Sequence, residues 1–456
     1  MIETGWHHDW LDKIRPSTNW REEYQAKMTT PEEAAKRVKS GDRVACPTGR
    51  DPLALGLALA ARGDELSEVR LFLGTPTHDF AWYDPAWQDF FHLCIGYTFP
   101  RGVAADCLAQ RRVDVFTGGL FIFDDLPDAW DVDVLLVEVS APDDNGFCSF
   151  GASVYDKRHW VAKAKLVLAE VNDRLIKTCG DNRVHISQID CFVLHPHTNR
   201  KPGEVTLAGQ SVPEVKAEQK QISKHVSSLI RDGDTVQIGQ GGTSESLVRC
   251  DLFDSKNDIG WHSEVTPGGI IKLVRRGIIT GRYKTRDQGI AVATAIGGGT
   301  VEEMHFVHLN PLFELRDIVY THDPRIISSL DNMVSINNAL EVDLTGQINA
   351  ESRGAQMFSG PGGLLPFTIG ARLSRNGRSI IVFPATAKGE TVSRIVPILN
   401  SKVTVPHTLA DFVVTEYGIA RLRGRTIRER VEGLISIAHP DFRDDLRKTS
   451  QGLYWP

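Results

Sequence analysis

The chain has 456 residues, with 52 Lys and Arg against 58 Asp and Glu, which gives a net charge of −6. This length predicts two to three domains. A weakly acidic chain without a basic stripe argues against a nucleic-acid-binding protein. No apolar segment approaches the roughly 18–20 residues that cross a bilayer, and the Trp-rich N-terminus lacks the apolar stretch of a secretory signal. We therefore expect neither a membrane nor a nucleic acid as a partner.

The seven cysteines are scattered and form no C-x-x-C pair. Such a set predicts reduced thiols in a cytoplasmic protein, and neither a disulfide framework nor a cysteine-rich zinc site. His7 and His8 stand beside Asp9, but no further ligands follow at zinc spacing, so no metal site is predicted.

The elements begin after an N-terminal extension, residues 1–29. Thr30 can cap a helix, with Pro31 at the first helical position and Glu33 at the capping-box position, and this helix is predicted to end near Gly41. Apolar strands then alternate with amphipathic helices, the strands being predicted at 43–46, 69–73, 113–116 and 132–137. Near-continuous apolar strands between helices indicate an α/β fold with a mostly parallel sheet.

The same order of elements returns in the second half. A predicted helix at 214–230 leads to a strand at 235–238 and a glycine turn at 239–242. We therefore predict an internal duplication into two related α/β domains, at 30–194 and 215–456, joined by a linker at 195–214. His195 and His197 could be metal ligands, but the polar, turn-rich segment favours a linker.

Three glycine-rich turns are candidates for close backbone approach to a ligand: 239–242, 297–299 and 360–363. Backbone N–H groups in such turns can hold a phosphate or an oxyanion. The first turn is neither a Walker A motif nor G-x-G-x-x-G, because no Lys-Ser/Thr follows and Ser244 stands at the third glycine position. Tight turns in a densely packed domain remain the alternative.

Glu264 is predicted at the carboxyl end of a short strand, just before a Pro-Gly-Gly turn. Ligands of open α/β sheets bind outside the carboxyl ends of strands. A surface glutamate at a turn is the alternative interpretation. The sequence has no G-x-S-x-G and no H-E-x-x-H, so any chemistry is expected to rest on a carboxylate and on backbone donors.

Several ordered motifs together resemble the glutamate-dependent CoA-transferase family, which includes acetyl-CoA hydrolase/transferases and 4-hydroxybutyrate CoA-transferases. They run from about residue 30 to residue 447 and are the segments 139–151, 169–172, 185–187, 262–264, 335–346, 360–363, 414–420 and 437–443.

The resemblance implies a ping-pong CoA-transferase with two related α/β domains. Glu264 matches the nucleophilic glutamate, which would form an acyl-glutamyl anhydride and then a glutamyl-CoA thioester. Gly363 matches the glycine whose backbone N–H stabilises the oxyanion. The positions that match the surroundings of bound CoA are Gly239, Gly241, Gly242, Asn337 and Lys388.

The resemblance also implies the partners: an acyl-CoA and a small carboxylic acid, in a homodimer or homotetramer. No further cofactor and no metal are expected, because CoA is itself the substrate and becomes covalent only transiently.

The chain departs from the family pattern at three places. His322 stands where the family commonly has the Asn of Asn-Asp-Pro, and a ring nitrogen would have to replace that side-chain donor. Pro366 replaces an acidic residue, and the 239–244 turn lacks the usual proline. We therefore expect an acyl substrate other than plain acetate, bulkier or with another polar group.

Two other functions remain open at this stage. An acyl-CoA hydrolase would differ only in how well the closed site excludes water. A non-catalytic CoA-binding protein on the same fold is compatible with the changes at His322 and Pro366, although the retained Glu264 argues against it.

Overall fold

The structure is a computed structural model that describes residues 14–15, 19–96, 100–118, 120, 130–197 and 214–455. Most of the predicted extension at 1–29 and of the predicted linker at 195–214 therefore lies outside the described residues. Within the described ranges, no helix is both long and apolar enough to pass through a bilayer.

The first half of the chain forms a parallel sheet. Its seven strands lie in the order β10-β7-β5-β1-β2-β3-β4, and each neighbouring pair is parallel. The strands of this half are β1 (Arg43–Cys46), β2 (Val69–Leu73), β3 (Phe91–Ile95), β4 (Asp114–Val115), β5 (Val134–Val139), β6 (Phe147–Ser149), β7 (Leu166–Val171), β8 (Cys179–Gly180), β9 (Arg183–His185) and β10 (Cys191–Leu194). The short strands β6 and β9 pair separately as an antiparallel ribbon.

The second half forms a nine-stranded sheet in the order β25-β24-β20-β15-β11-β12-β13-β14-β8. Its strands are β11 (Thr235–Ile238), β12 (Gly260–Thr266), β13 (Ala291–Ile296), β14 (Phe313–Leu315), β15 (Met333–Asn338), β20 (Arg378–Val382), β24 (Phe412–Thr415) and β25 (Gly418–Arg421). Only β25 runs antiparallel to its neighbour, and β8 is an edge strand that the first half contributes.

Short strands flank this second sheet. They are β16 (Glu341–Asp343), β17 (Ile348–Asn349), β18 (Ser352–Arg353), β19 (Gln356–Met357), β21 (Thr386–Ala387), β22 (Val392–Ser393) and β23 (Ile395–Val396).

The two sheets repeat one topology. In each, the first strand of the half has the next three strands of the chain on one side, β2 to β4 or β12 to β14, and later strands of the same half on the other. The sequence-based prediction of an α/β fold with two related, mostly parallel sheets is confirmed. The topological switch point, where the order of the strands along the chain reverses, lies between β1 and β5 in the first sheet and between β11 and β15 in the second. Ligands of open α/β sheets bind at such a switch point.

Helices cover the sheets, so the central strands are buried on both faces; every residue of β5 and of β13 is buried. The helices are α1 (Trp20–Ala26), α2 (Pro31–Ala35), α3 (Leu53–Ala60), α4 (Gly102–Ala109), α5 (Lys157–Lys163), α6 (Ala217–Ser228), α7 (Ser244–Val248), α8 (Ile270–Arg275), α9 (Val301–Val307), α10 (Ile318–Thr321), α11 (Pro324–Ser328), α12 (Leu364–Leu373), α13 (Ile427–Ser436) and α14 (Pro440–Tyr454).

The local signals place most element starts correctly and some ends incorrectly. Thr30 accepts a hydrogen bond from the Glu33 amide at 3.2 Å, as the capping pattern predicts. The helix ends at Ala35, well before Gly41, because the residues that follow form turns in place of a further helical turn. The strands at 43–46, 69–73 and 235–238 have the predicted bounds.

One hydrophobic core joins the two halves. Val139 and Trp160 of the first half belong to the same buried cluster as Trp261, Val265 and Ala295 of the second. The segment 152–154 is the physical link, because it lies along the carboxyl end of β13: Ile296 donates to the Ala152 carbonyl at 2.8 Å, and Val154 donates to the Thr294 carbonyl at 3.0 Å.

Candidate active site

Glu264 lies on β12, which the buried strands β11 and β13 flank in the sheet. The strand continues to Thr266, so Glu264 lies two residues before its end and not at the last position. Alternate residues of β12 face the same side, which puts His262 and Glu264 together. The side chain of Glu264 is 14% exposed, whereas His262 is completely buried. Glu264 is thus held by the core but open to a ligand, which argues against the surface-turn alternative.

The two carboxylate oxygens of Glu264 have different partners. The Tyr155 hydroxyl donates to Oε1 at 2.9 Å, across the boundary between the two halves. Nε2 of His322 lies 3.2 Å from Oε2. One donor on each oxygen fixes the rotation of the carboxylate.

His322 follows α10 directly, and its ring is fully buried. The Thr321 hydroxyl lies 2.8 Å from Nδ1, and it can donate there, which leaves the proton of the neutral ring on Nε2. His262 holds this turn in place, because its Nε2 donates to the Thr321 carbonyl at 3.0 Å. Burial lowers the pKa of His262 to about 3, so it stays neutral and serves as a fixed donor. The Phe367 ring packs edge-on against His322, 5.1 Å between centroids.

Gly363 lies against the same carboxylate oxygen. It is the residue before α12, a ten-residue helix, so the start of this helix lies beside the carboxylate. A Cβ at Gly363 would overlap Glu264 Oε2 and come within 2.9 Å of His322 Nε2. The structure therefore brings together the three predicted catalytic residues, Glu264, His322 and Gly363.

Gly363→Ala is expected to lower kcat about 100-fold with little loss of stability, because the new methyl group would push the carboxylate away from His322. Displacing a reacting group by about 1 Å costs on this order. Gly268→Ala is the matched control, since a Cβ at Gly268 would meet no atom within 4 Å. Steady-state kinetics and thermal melting of both variants test this, and equal kcat values for the two would contradict it.

The glycine turn at 239–242 lies at the point where the second sheet reverses direction. A Cβ at Gly239 would overlap the Asn337 side chain, and one at Gly241, whose φ is +143°, would overlap Asn338. Around Gly242 there is open space within 4 Å. Glycine is therefore required where β15 approaches the turn, and the turn is open to a ligand at its tip.

Asn338 holds this turn. Its Nδ2 donates to the Gln240 carbonyl at 3.1 Å, and its Oδ1 accepts from the Ser244 amide at 3.0 Å. Asn337, which the resemblance implies near CoA, has its amide group paired with Gln237 in two buried hydrogen bonds of 2.9 and 3.1 Å. Asn337 therefore packs beneath the turn, and its side-chain amide is already used.

Lys388 lies apart from this buried pair, in the exposed loop between β21 and β22. Its φ of +50° places it in the left-handed region, and its carbonyl accepts from the Thr391 hydroxyl at 2.9 Å. The ammonium group is on the surface, where it is available to a phosphate.

Sequence reasoning missed Tyr155 and Asn338. Asn338 directly follows the predicted site residue Asn337, and the pair Asn337-Asn338 at the end of a strand is the signal that indicates it. Tyr155 contacts Glu264 across 109 residues of chain, and no local pattern indicates such a contact.

A second polar cluster lies at the direction reversal of the first sheet. Glu138 of β5, Glu170 of β7 and His195 each offer a ligand atom, and these atoms lie within 4.8 Å of one another. His195 is buried, follows β10 directly and has its ring beside these two carboxylates; the linker predicted at 195–214 stays a prediction. Burial lowers the pKa of His195 to about 4.

The tautomer of His195 argues against a metal in this cluster. Its Nδ1 accepts from the His197 amide at 3.1 Å, so in the neutral ring Nε2 carries the proton and has no lone pair for an ion. Nε2 lies 3.7 Å from Glu170 and 3.9 Å from Glu138. Arg50 adds a positive charge 3.6 Å from Glu138. The cluster is therefore better suited to sharing a proton among Glu138, Glu170 and His195 than to binding a metal cation.

Glu170 is expected to make the free energy of unfolding depend on pH. Burial raises its pKa from 4.5 to about 8, so between these values the folded chain holds a proton that the unfolded chain releases. The stability contributed by this proton is complete below about 4.5 and is lost as the pH rises towards 8.

Glu170→Gln removes this titration. We expect the variant to gain about 1–3 kcal/mol relative to the wild type between pH 5 and pH 7.5. Urea unfolding at the two pH values measures the difference. The same stability difference at both pH values would contradict the assignment.

The geometry defines a class of site: a partly exposed carboxylate with a donor on each oxygen and a helix start against it, on a duplicated α/β fold. Comparison with known proteins identifies the family. Residues 114–200 match the acetyl-CoA hydrolase/transferase N-terminal domain, and residues 299–450 match the C-terminal domain. The chain belongs to the acetyl-CoA hydrolase/transferase family.

Relatives align over nearly the whole chain. A 4-hydroxybutyrate coenzyme A transferase of Clostridium kluyveri is 36% identical over 94% of this chain and 98% of its own length. A succinyl-CoA:cyclohexane-1-carboxylate CoA transferase of Geobacter metallireducens is 34% identical over 95% and 97%. The crystal structure of RipA from Yersinia pestis superposes with a TM-score of 0.87 at 30% identity, over 96% of this chain and 100% of that chain.

Proposed function

We propose that the protein is an acyl-CoA:carboxylate CoA-transferase in which Glu264 is the nucleophile. The observation that carries this proposal is the position of Glu264: 14% exposed, with donors on both oxygens and Gly363 against one of them. Membership of a family whose relatives are named as CoA-transferases supports the same reaction.

The reaction would proceed in two halves. A Glu264 oxygen attacks the carbonyl carbon of the acyl-CoA thioester, the C–S bond breaks, and CoA thiolate leaves from the mixed anhydride. The thiolate then attacks the Glu264 carbonyl carbon, which gives the glutamyl-CoA thioester and releases the first acid. A second carboxylic acid reverses these steps and leaves as its CoA ester. A carboxylate nucleophile suits this exchange, since an anhydride requires two carboxyl groups.

Each tetrahedral intermediate carries an oxyanion, and fixed donors stabilise it. His322 and the backbone at Gly363 are the donors proposed here, and both adjoin Glu264 Oε2. A ring N–H at His322 would replace the side-chain amide that the family commonly has at this position. Because the ring is buried and fixed by Thr321, it does not have to reorganise during the reaction.

We propose the 239–242 turn and Lys388 as the binding elements for CoA. The tip of the turn is open, and its shape is fixed from below by Asn338 and Asn337. Asn337 is thus proposed to act by supporting Gly239 and not by direct contact with CoA. Binding energy from the CoA tail, remote from the reacting bond, can be used in the transition state.

An acyl-CoA hydrolase is the second candidate, because water could take the glutamyl thioester. The deciding experiment incubates the enzyme with butanoyl-CoA, with and without acetate, and follows both free CoA and acetyl-CoA. The transferase proposal expects acetyl-CoA to form faster than free CoA. Free CoA released at the same rate in both incubations, without acetyl-CoA, would contradict it.

We expect the enzyme to prefer an acyl substrate other than plain acetate. His322 lies 3.2 Å from Glu264, and Pro366 is in the first turn of the helix that starts beside it, so two of the three departures from the family pattern are close to the proposed nucleophile in the fold. We expect a panel of acids, compared by kcat/KM, to favour acids that are bulkier than acetate or carry another polar group. Acetate and butyrate as the best acceptors would contradict this.

A further inference from the structure

The two oxygens of Glu264 have donors of different kinds. Oε2 adjoins the fully buried His322 ring and the backbone at Gly363, at the start of α12. Oε1 accepts a hydrogen bond only from the Tyr155 hydroxyl among the described residues, at 2.9 Å. Oε2 therefore faces a fixed ring and the start of a helix, whereas Oε1 faces a single phenol.

The proposed reaction also gives the two oxygens different fates. When CoA thiolate attacks the anhydride, a C–S bond forms at the Glu264 Cδ and one Cδ–O bond breaks. The oxygen of that bond leaves with the electron pair as part of the released carboxylate. The other oxygen carries the transient negative charge and becomes the thioester carbonyl. The negative charge passes from the thiolate to the released acid, and no proton is transferred.

The surroundings of each oxygen suit one of these two roles. A preorganised donor such as the His322 ring at Oε2, with the start of α12 beside it, suits an oxygen that stays on the enzyme as an oxyanion. Oε1 is then the oxygen that attacks the acyl-CoA and later leaves. We infer that Tyr155 is a catalytic residue whose hydroxyl donates a hydrogen bond to Oε1 as this oxygen departs in the released carboxylate. This inference rests on the proposed function.

The backbone of Tyr155 is fixed on both sides. The Val154 amide donates to the Thr294 carbonyl of β13 at 3.0 Å, and the Ile318 amide of α10 donates to the Tyr155 carbonyl at 3.0 Å. Tyr155 adopts a φ of +40°, a value that bulky residues rarely adopt. The fold holds this strained residue between the strand next to Glu264 and the helix before His322.

The phenol remains a neutral donor. Burial, together with the negative charge of Glu264, raises the pKa of Tyr155 well above 10. The hydroxyl therefore keeps its proton while charge develops on the leaving carboxylate. Such a bond strengthens as the acceptor becomes more basic.

A purely structural role for Tyr155 would have a different signature. If the hydroxyl only oriented Glu264, its loss would slow the reaction of every acyl-CoA by the same factor. If it stabilises the leaving carboxylate, its loss would matter most for basic carboxylates and little for weakly basic ones.

The test compares wild type with Tyr155→Phe in single-turnover formation of the glutamyl-CoA adduct. The probes are butanoyl-CoA, 2-fluorobutanoyl-CoA and 2,2-difluorobutanoyl-CoA, which are similar in size but release increasingly weak bases. Tyr320→Phe is the control, because Tyr320 also donates to a carboxylate at 2.9 Å, that of Asp287. Thermal melting verifies that each variant is folded.

We expect the ratio of wild-type to Tyr155→Phe rate constants to be about 10- to 100-fold for butanoyl-CoA, the usual worth of a hydrogen bond to a charged group. The ratio is expected to fall towards one along the fluorinated series, while Tyr320→Phe stays near one throughout. A ratio that is the same for all three probes, or near one for butanoyl-CoA, overturns the role of Tyr155. A wild-type enzyme that forms no adduct overturns the proposed function itself.

Discussion

Replacing Glu264 with Gln is expected to lower the kcat of CoA transfer by about 10⁴-fold or more, the scale seen when an enzyme loses its nucleophile. The amide keeps the shape of the side chain but is a poor nucleophile and cannot form the anhydride. Binding of CoA is expected to persist, because the 239–242 turn is unchanged, so KM should move far less than kcat.

Glu302→Gln is the control for this substitution. Glu302 is an exposed glutamate on α9, paired with Arg275 at 2.6 Å, and has no contact with the site. It is expected to keep wild-type kcat. Full activity in a folded Glu264→Gln variant would contradict the assignment of the nucleophile.

Removing His322 has the second largest expected effect. His322→Ala takes away the side-chain donor 3.2 Å from Oε2, and losing one such donor lowers kcat by about 10²–10³-fold. Because the ring is fully buried, the alanine variant is also expected to lose stability.

His322→Asn separates the two effects, since it restores a side-chain N–H where the family commonly has Asn. We expect His322→Asn to recover much of the lost kcat relative to His322→Ala, measured by steady-state transfer rates at equal folded fractions. Equal rates for the Asn and Ala variants would show that His322 acts by packing alone.

Local patterns were sufficient for the framework of the fold. Apolar strands such as 69–73 and the cap at Thr30 follow directly from the sequence, and the repeated order helix, strand, turn predicts the duplication that both sheets display. The short helix after Thr30 and the edge strand β8 could not be predicted in the same way, because long-range packing decides where they end and with what they pair.

The site was predictable only where motifs identify residues. Glu264, Gly363 and His322 came from the family resemblance, and the structure brings all three together. Tyr155 depends on a left-handed backbone position and on a contact between the two halves. His195 looked like a linker residue because its neighbours are polar, whereas its own ring faces two buried carboxylates.

The proposed pairing of donors with oxygens explains why a histidine can stand at position 322. A ring held by Thr321 and by the packing of Phe367 supplies one fixed N–H without the two hydrogens of an amide. The ring is larger than an amide side chain and so leaves a different shape beside Oε2. This is consistent with the expected shift in acyl preference away from plain acetate.

The covalent intermediate is the most direct test of the central claim. The enzyme is mixed with butanoyl-CoA in the absence of an acceptor acid, quenched, digested and analysed by mass spectrometry, with and without a subsequent pulse of acetate. The account predicts CoA attached through a thioester to the peptide that contains Glu264, and loss of this adduct after the acetate pulse as acetyl-CoA appears. Turnover of butanoyl-CoA with an unmodified Glu264 peptide at every time point would contradict it.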